Sequence, residues 1–373
     1  MRRAAFLALP ALLLAGCAAA SRPPAQTDAL TIENRYPLEY AKQFTVDVCA
    51  GGYDLVTIDG SRYLVVPEGA AAPANLDADI TVLQQPIQNI YLVSSSAMDP
   101  ILSIGGLGAV ALSGTQAENW YLDAARTAME QGKIAYAGKY SAPDYETILS
   151  ADCGLAIENT MIYHTPEVKE QLEKFGVPVL VERSSYESDP LARMEWVKLY
   201  GILLGKTEEA ERVFDDAVQR IAPLLDEEPT GRTAAFFSIT SNNLATVRKG
   251  GDYVAKMIEL AGGSYVFADL TDSGSNLATV NISLEDFYAG ARDADVLLYN
   301  STIEGELRTM DELLAKCPML ADFKAVQSGN VWCTSQSLFQ QSMELPDLIL
   351  DMNKVFTEDD PDDSELTFLT KLH

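Results

Sequence analysis

Thr207 to Leu225 read TEEAERVFDDAVQRIAPLL. Ala210, Val213, Phe214, Ala217, Val218, Ile221, Leu224 and Leu225 recur at spacings of three and four, one continuous apolar helix face. Thr207 is placed to cap this helix, and Glu208 and Glu209 complement the positive end of its dipole. Pro229 and Gly231 close the segment. About 19 residues at about 1.5 Å each give roughly 28 Å, enough to bridge two bodies of structure.

The sequence on both sides of that helix alternates strand and helix. Before it, NIYLV (89–93), GLAIE (154–158) and PVLVE (178–182) are short runs, apolar almost throughout. Helical stretches near Gln116–Gln131 and Pro166–Phe175 separate them. After it, AAFFSI (234–239), DVLLY (295–299) and NVWC (330–333) alternate with helices near Asp252–Ala261 and Met310–Lys316. Runs apolar throughout suit strands covered on both faces, and the alternation predicts parallel sheets. The fold class is therefore α/β: two lobes with mainly parallel central sheets, joined by a single long interdomain helix. Further upstream, Phe44–Val48, Tyr53–Ile58 and Tyr63–Val66 are β-rich and separated by Gly51-Gly52 and Asp59-Gly60, a hairpin signal.

At the start, Arg2 and Arg3 precede the apolar stretch Ala4–Gly16, and Leu14-Ala15-Gly16-Cys17 reads as a lipobox. The stretch is short of the about 20 residues that span a bilayer, so it is an export signal. Resemblance to bacterial lipoproteins implies diacylation of Cys17, the expected lipidation site, and two acyl chains on one residue give stable anchoring. The chain carries 54 acidic and 27 basic residues, a formal charge of −27. Such a surface repels nucleic acid. Hydrophobic content of 47% excludes a disordered chain. Cys49 and Cys153 fall in the first half, Cys317 and Cys333 in the second. One disulfide per half would suit an oxidising exterior, and buried free thiols fit equally well. No GxSxG, HExxH or GxxxxGK[ST] occurs, so the residues offer no enzyme signature.

DPLARMEWVK (189–198), LLGK (203–206) and Ala261-Gly262-Gly263, in that order around the long helix, resemble the ABC-transporter substrate-binding proteins for ferric siderophores, haem and cobalamin. The resemblance covers about residues 35–357. It implies a shallow interlobe cleft, capture of a metal chelate and delivery to an ABC permease, without catalysis. The expected organisation is a signal peptide (1–16), a tether (17–34), an N-terminal lobe (35–206), the interlobe helix (207–226), a C-terminal lobe (227–357) and an acidic tail (358–373). The expected protein is a monomer, lipid-anchored outside the cytoplasm, with no cofactor of its own and no metal ligands. Its ligand would be an iron chelate, most readily a ferric siderophore. Haem or a corrinoid is the alternative, as is a lipoprotein enzyme or sensor on the same frame.

Ligands of open α/β sheets bind beyond the carboxyl ends of the strands. The residues there are Ser95 after the first run, Asn159 and Tyr163 after the second, and Arg183 and Tyr186 after the third. Arg248 and Lys249 follow the fourth, Asn300 and Ser301 the fifth, and Trp332 lies in the sixth. Arg183, Arg248 and Lys249 stand out in a cation-poor chain, since guanidinium groups suit anionic oxygen ligands. Pairing with the surplus acids is the competing role. His164 and His373 are the chain's two histidines, too few for a cage around a bare metal ion. By resemblance, Glu167 in the first lobe would dock the permease, with Asp252 or Glu259 substituting in the second lobe.

Overall fold

The computed structural model describes residues 30–225, 227–271 and 278–373. Cys17, the signal segment and the tether up to residue 29 lie outside the described residues. The expected tether is shorter than predicted, because β1 (Ile32–Arg35) already pairs antiparallel with β2 (Phe44–Cys49). With β3 (Tyr53–Ile58), β4 (Ser61–Val66) and β5 (Ile80–Gln84) these form a five-stranded sheet in sequential order. Asp59 and Gly60 make the predicted two-residue turn between β3 and β4. Their φ angles of 49° and 80° lie in the left-handed region that such turns require.

The first lobe's parallel sheet follows. It comprises β6 (Ile90–Leu92), β7 (Val110–Ser113), β8 (Ala135–Tyr136), β11 (Ala156–Glu158) and β12 (Val179–Val181), in the order β12-β11-β6-β7-β8. A small hairpin, β9 (Gly138–Lys139) with β10 (Ala142–Pro143), interrupts the sequence order. Helices α1 (Met98–Ser103), α2 (Asp123–Glu130), α3 (Tyr145–Ser150) and α4 (Pro166–Lys174) connect the strands. The helix expected over 116–131 is split. Residues 117–119 form a 3-10 turn, and Trp120 anchors the break by burying its ring and donating its indole N–H to Ser113.

The second lobe's sheet runs β16 (Thr279–Ile282), β14 (Ala245–Arg248), β13 (Thr233–Ile239), β17 (Val296–Tyr299), β18 (Val331–Thr334), β19 (Leu369–Lys371), with β15 (Ser264–Tyr265) beside β13. Its centre, β13-β17-β18, is parallel, while β14 pairs antiparallel with β13 and with the edge strand β16, and the edge strand β19 pairs antiparallel with β18. Helices α7 (Tyr253–Leu260), α8 (Leu284–Ala291), α9 (Ser301–Glu304), α10 (Met310–Lys316) and α11 (Lys324–Ser328) cover it, and α12 (Leu345–Thr357) follows. The acidic tail expected over 358–373 is corrected here. Phe368, Leu369 and Leu372 are buried, and β19 completes the sheet by pairing with β18. The acids before it are tied back, Asp360 to Lys371 and Glu365 to Lys354. All four described cysteines are buried free thiols.

Two helices join the lobes. The predicted long helix is α6 (Thr207–Ile221), 15 residues, ending in a 3-10 turn over Ala222–Leu224 rather than running on to 226. Lys206, not Thr207, occupies the cap position. Ala210, Phe214, Ala217 and Ile221 form its buried face. Near its start the Tyr36 hydroxyl reaches Glu211, and near its end Arg220 pairs with Glu344 and Asp347 at the start of α12. It packs on α5 (Pro190–Leu204), in which all but the last residue are buried. Gly201 permits the close crossing, since a Cβ there would stand 2.5 Å from the Ala210 Cβ.

A helix buried on every side normally reads as apolar all round, yet α5 carries Arg193, Glu195 and Lys198. Glu195 is fully enclosed. It accepts from Lys198 Nζ at 2.8 Å and from the backbone amides of Glu39, Tyr40 and Ala41. Glu187, just before α5, accepts from the Lys42 and Gln43 amides and the Trp196 indole. These two carboxylates hold the backbone of the strap 39–43 against the first lobe. Removing one partner of a buried pair leaves a charge without compensation, so Glu195→Ala is expected to cost about 3–5 kcal/mol of unfolding free energy. Urea melts of the two proteins test it, and a midpoint shift within error would refute the role.

Glu158, at the end of β11, is buried with no hydrogen-bond partner on either oxygen among the described residues. Burial raises its pKa from 4.5 to about 8. The unfolded chain therefore ionises this group well before the folded one does. Stability from this site is full below pH 4.5 and falls as pH rises toward about 8, by a few kcal/mol in order of magnitude. Glu158→Gln should flatten the decline of the thermal midpoint between pH 5 and 8. Parallel curves for the two proteins would show that the acid is not buried as described.

Candidate ligand-binding cleft

The carboxyl ends of the first lobe's β6, β11 and β12 meet residues of the second lobe at one place. A cavity of about 260 Å³ opens there. Ser94, Ser95 and Ser96 reach it from the end of β6, Asn159 from β11, and Glu182 and Ser185 from β12. The second lobe supplies Arg248 at the end of β14, Tyr253 at the start of α7, Ala278 before β16, and Phe339 beyond β18. Arg193, on the first full turn of α5, completes the lining.

Side-chain geometry divides the cavity by chemistry. On the first-lobe side, Glu182 Oε2 accepts from the Ser94 hydroxyl at 2.9 Å and the Ser96 hydroxyl at 3.2 Å, and Oε1 accepts from the Ser184 amide at 2.6 Å. On the second-lobe side, the Arg248 guanidinium lies 4.8 Å from the Phe339 ring centre and 5.9 Å from that of Tyr253. Arg193 stacks on the same Tyr253 ring at 4.7 Å. Such contacts hold a guanidinium flat against an aromatic face and leave its N–H edge for an oxygen ligand. Asp252 caps α7 by accepting from the Val254 amide and stands 3.6 Å from Arg248. Burial pushes the Asp252 carboxyl up, and the Arg248 charge opposes that rise.

A second set of contacts closes the back of the cleft. Gln340 bridges the Tyr121 amide and the Asn119 carbonyl, and the Tyr121 hydroxyl reaches Gln336. The Ser342 hydroxyl donates to the Ser96 carbonyl, and the Met343 amide donates to Asp99 at 2.7 Å. Asp99 is buried, which raises its pKa to about 6 against the effect of that amide.

Of the residues expected from sequence, Ser95, Asn159 and Arg248 line the cavity. Arg183, Tyr163 and Tyr186 form a separate group. Arg183 donates to Asp59 at 2.7 Å and to the Tyr163 hydroxyl at 3.2 Å, and its guanidinium lies 4.6 Å from the Tyr186 ring centre. Asp59 belongs to the β3–β4 turn, so the first sheet intercepts this cation before it can serve the cavity. Lys249 lies outside the described lining, its amide tied to the Ala278 carbonyl. Trp332 and Ser301 expose no surface, and Asn300 is nearly as enclosed. Trp332 donates to Asn330, Ser301 bonds to Thr334, and Asn300 caps α9. Packing on the sheet and helix capping claim these three before any ligand can.

Sequence reasoning missed Glu182, Tyr253 and Phe339, and took Arg193 only as part of a motif. Their signal was faint. A Glu ending an apolar run, and an Arg inside a helix apolar on every face, are the kind of buried charge that needs a partner. Among the docking candidates, Glu167 is exposed in the first turn of α4. Asp252 is committed to Arg248 and its cap, which withdraws it from any surface role. Glu259 is exposed and pairs with Lys256 at 3.0 Å.

The profile of the family described as periplasmic binding protein matches residues 93–338. The chain belongs to that family. An uncharacterized lipoprotein of Methanocaldococcus jannaschii is 25% identical over 310 residues, 79% of this chain and 72% of the relative. A second uncharacterized lipoprotein of that organism is 24% identical over 292 residues, 75% of this chain and 72% of its own. Among solved structures, a periplasmic binding protein of Veillonella parvula superposes with a TM-score of 0.61 at 16% identity, over 81% of this chain and 96% of that one. A periplasmic haem-binding protein of Pseudomonas aeruginosa gives 0.56 at 20% identity, over 76% and 95%. The protein of an ABC-type Fe3+-hydroxamate transport system from Saccharomonospora viridis gives 0.55 at 18%, over 73% and 94%. At these identities the superpositions show a shared fold. Among the described residues no helix is long and apolar enough to cross a membrane.

Proposed function

We propose that this periplasmic binding protein captures a metal chelate, in first place a ferric siderophore, in the interlobe cleft and passes it to an ABC permease while anchored through Cys17. The observation that carries the reading is the cleft itself. Side chains from both lobes converge on one cavity at the strand ends, with Arg248 held on aromatic rings opposite serines, Asn159 and Glu182. Haem is the second reading, favoured by the two guanidinium groups that share the Tyr253 face. Solved proteins of this fold include a haem binder and a member of an Fe3+-hydroxamate system, and this supports either choice. Lipoprotein relatives support the anchor. Glu167 is the first-lobe contact proposed for the permease, with Glu259 as its second-lobe counterpart.

A thermal-shift and absorbance screen against ferric siderophores, haem and cobalamin tests the reading, and a flat response to all of them would refute it. With a ligand in hand, Arg248→Ala should weaken binding about 10- to 150-fold, the worth of one charge-assisted contact. Arg183→Ala should change it less than about threefold, since that cation is already committed to Asp59. Calorimetry on both variants reads the difference, and equal losses would contradict the separation of the two sites. Cys17→Ala should leave an unprocessed precursor without metabolic palmitate label, and normal labelling would remove the anchor.

A further inference from the structure

Resting on the chelate-binding reading, Glu182 narrows what the chelate must carry. Its carboxylate is 2% exposed and lines the cavity. Among the described residues its hydrogen-bond donors are neutral: two serine hydroxyls and one backbone amide. Neutral donors satisfy its lone pairs without supplying an opposite charge. A charge removed from water is costly until an opposite charge meets it. Two cations line the same cavity: Arg248 has Asp252 as its partner at 3.6 Å, and Arg193 lies over the Tyr253 ring with no ion pair to Glu182 among the described residues. The two hydroxyls on Glu182 can rotate, so an incoming donor can take the same oxygens without leaving either serine stranded.

Size adds an independent constraint. At about 260 Å³ the cavity is smaller than the roughly 300–1,000 Å³ sites that enclose a whole drug-sized ligand. It has room for an arm of a chelate and not for a whole one. We propose that the arm entering this cavity is cationic, an ammonium or amidinium group that reaches Glu182, and that the acceptor oxygens of the same ligand face Arg248. The ligand class is then a chelate with a basic side arm, as opposed to a purely anionic one.

The test uses full-length protein in detergent and calorimetry with five probes. These are ferrioxamine B (a tris-hydroxamate with one free ammonium arm), its N-acetylated derivative, ferric enterobactin, haem and cobalamin. Ferrioxamine B is expected to bind about tenfold or more tighter than the acetylated form, the worth of one charge-assisted contact. The ratio should fall to within about twofold in Glu182→Gln, which keeps an acceptor oxygen at the same place. Equal binding of the two hydroxamates, or strongest binding of a probe without a cationic arm, overturns the inference and leaves the chelate reading standing. A ratio that survives Glu182→Gln overturns the assignment to Glu182. Binding of none of the five removes the chelate reading and this inference with it. The comparison within the wild-type protein stands even if the variant fails to fold.

Discussion

Helix α5 is enclosed on all sides and still carries Arg193, Glu195 and Lys198, and the molecule is arranged around partnering these polar groups. Glu195 and Lys198 pair inside the core, and the spare oxygen capacity of Glu195 and Glu187 is filled by the backbone of residues 39–43. That fixes the strap preceding the first sheet. Phe44 at the end of the strap then stacks edge-on to Trp196. Two turns along from Glu195, Gly201 lets α6 approach closely enough to bury Ala210 and Phe214. One residue pair further toward the cleft, Arg193 emerges beside Tyr253 of the other lobe. A single helix thus orders the N-terminal strap, the bridging helix and one wall of the cavity.

The same arrangement removes any sharp border between the lobes. The largest hydrophobic cluster contains Phe44 and Leu92 from the first lobe, Met194 and Tyr200 from α5, and Met257, Trp332 and Met352 from the second. Satellite clusters then fill each lobe separately, around Tyr91 and Val179 in one and around Phe237 and Phe287 in the other. Energetically the lobes share their most apolar surface, and the cleft is a polar notch cut into one side of it.

The fold was legible because its main signals are local. Apolar runs such as AIE and VLV cannot be surface strands, and the Asp-Gly turn dictates its own geometry. The tail was misread because its acids dominate the composition while the residues that decide its fate, Phe368, Leu369 and Leu372, are few and come last. The strand-end rule named three residues that line the cavity, Ser95, Asn159 and Arg248. It failed where a side chain has a better offer nearby. Arg183 met Asp59, distant in sequence and brought close by the first sheet, and Asn300 satisfied the amide of Thr302. Glu182 and Phe339 were invisible because their part depends on which face of a chain turns inward beyond the strand, which periodicity does not encode.

The interlobe contacts beside the cavity carry a consequence for motion. Gln340, Ser342 and Met343 stitch the lobes together through backbone as well as side-chain bonds, beside a core that both lobes share. A molecule sewn along that seam has little freedom to swing like a jaw. On the function proposed above, loading would alter its outline only slightly, and a permease would have to feel the cargo itself, protruding from the notch, or the side chains rearranged at the rim.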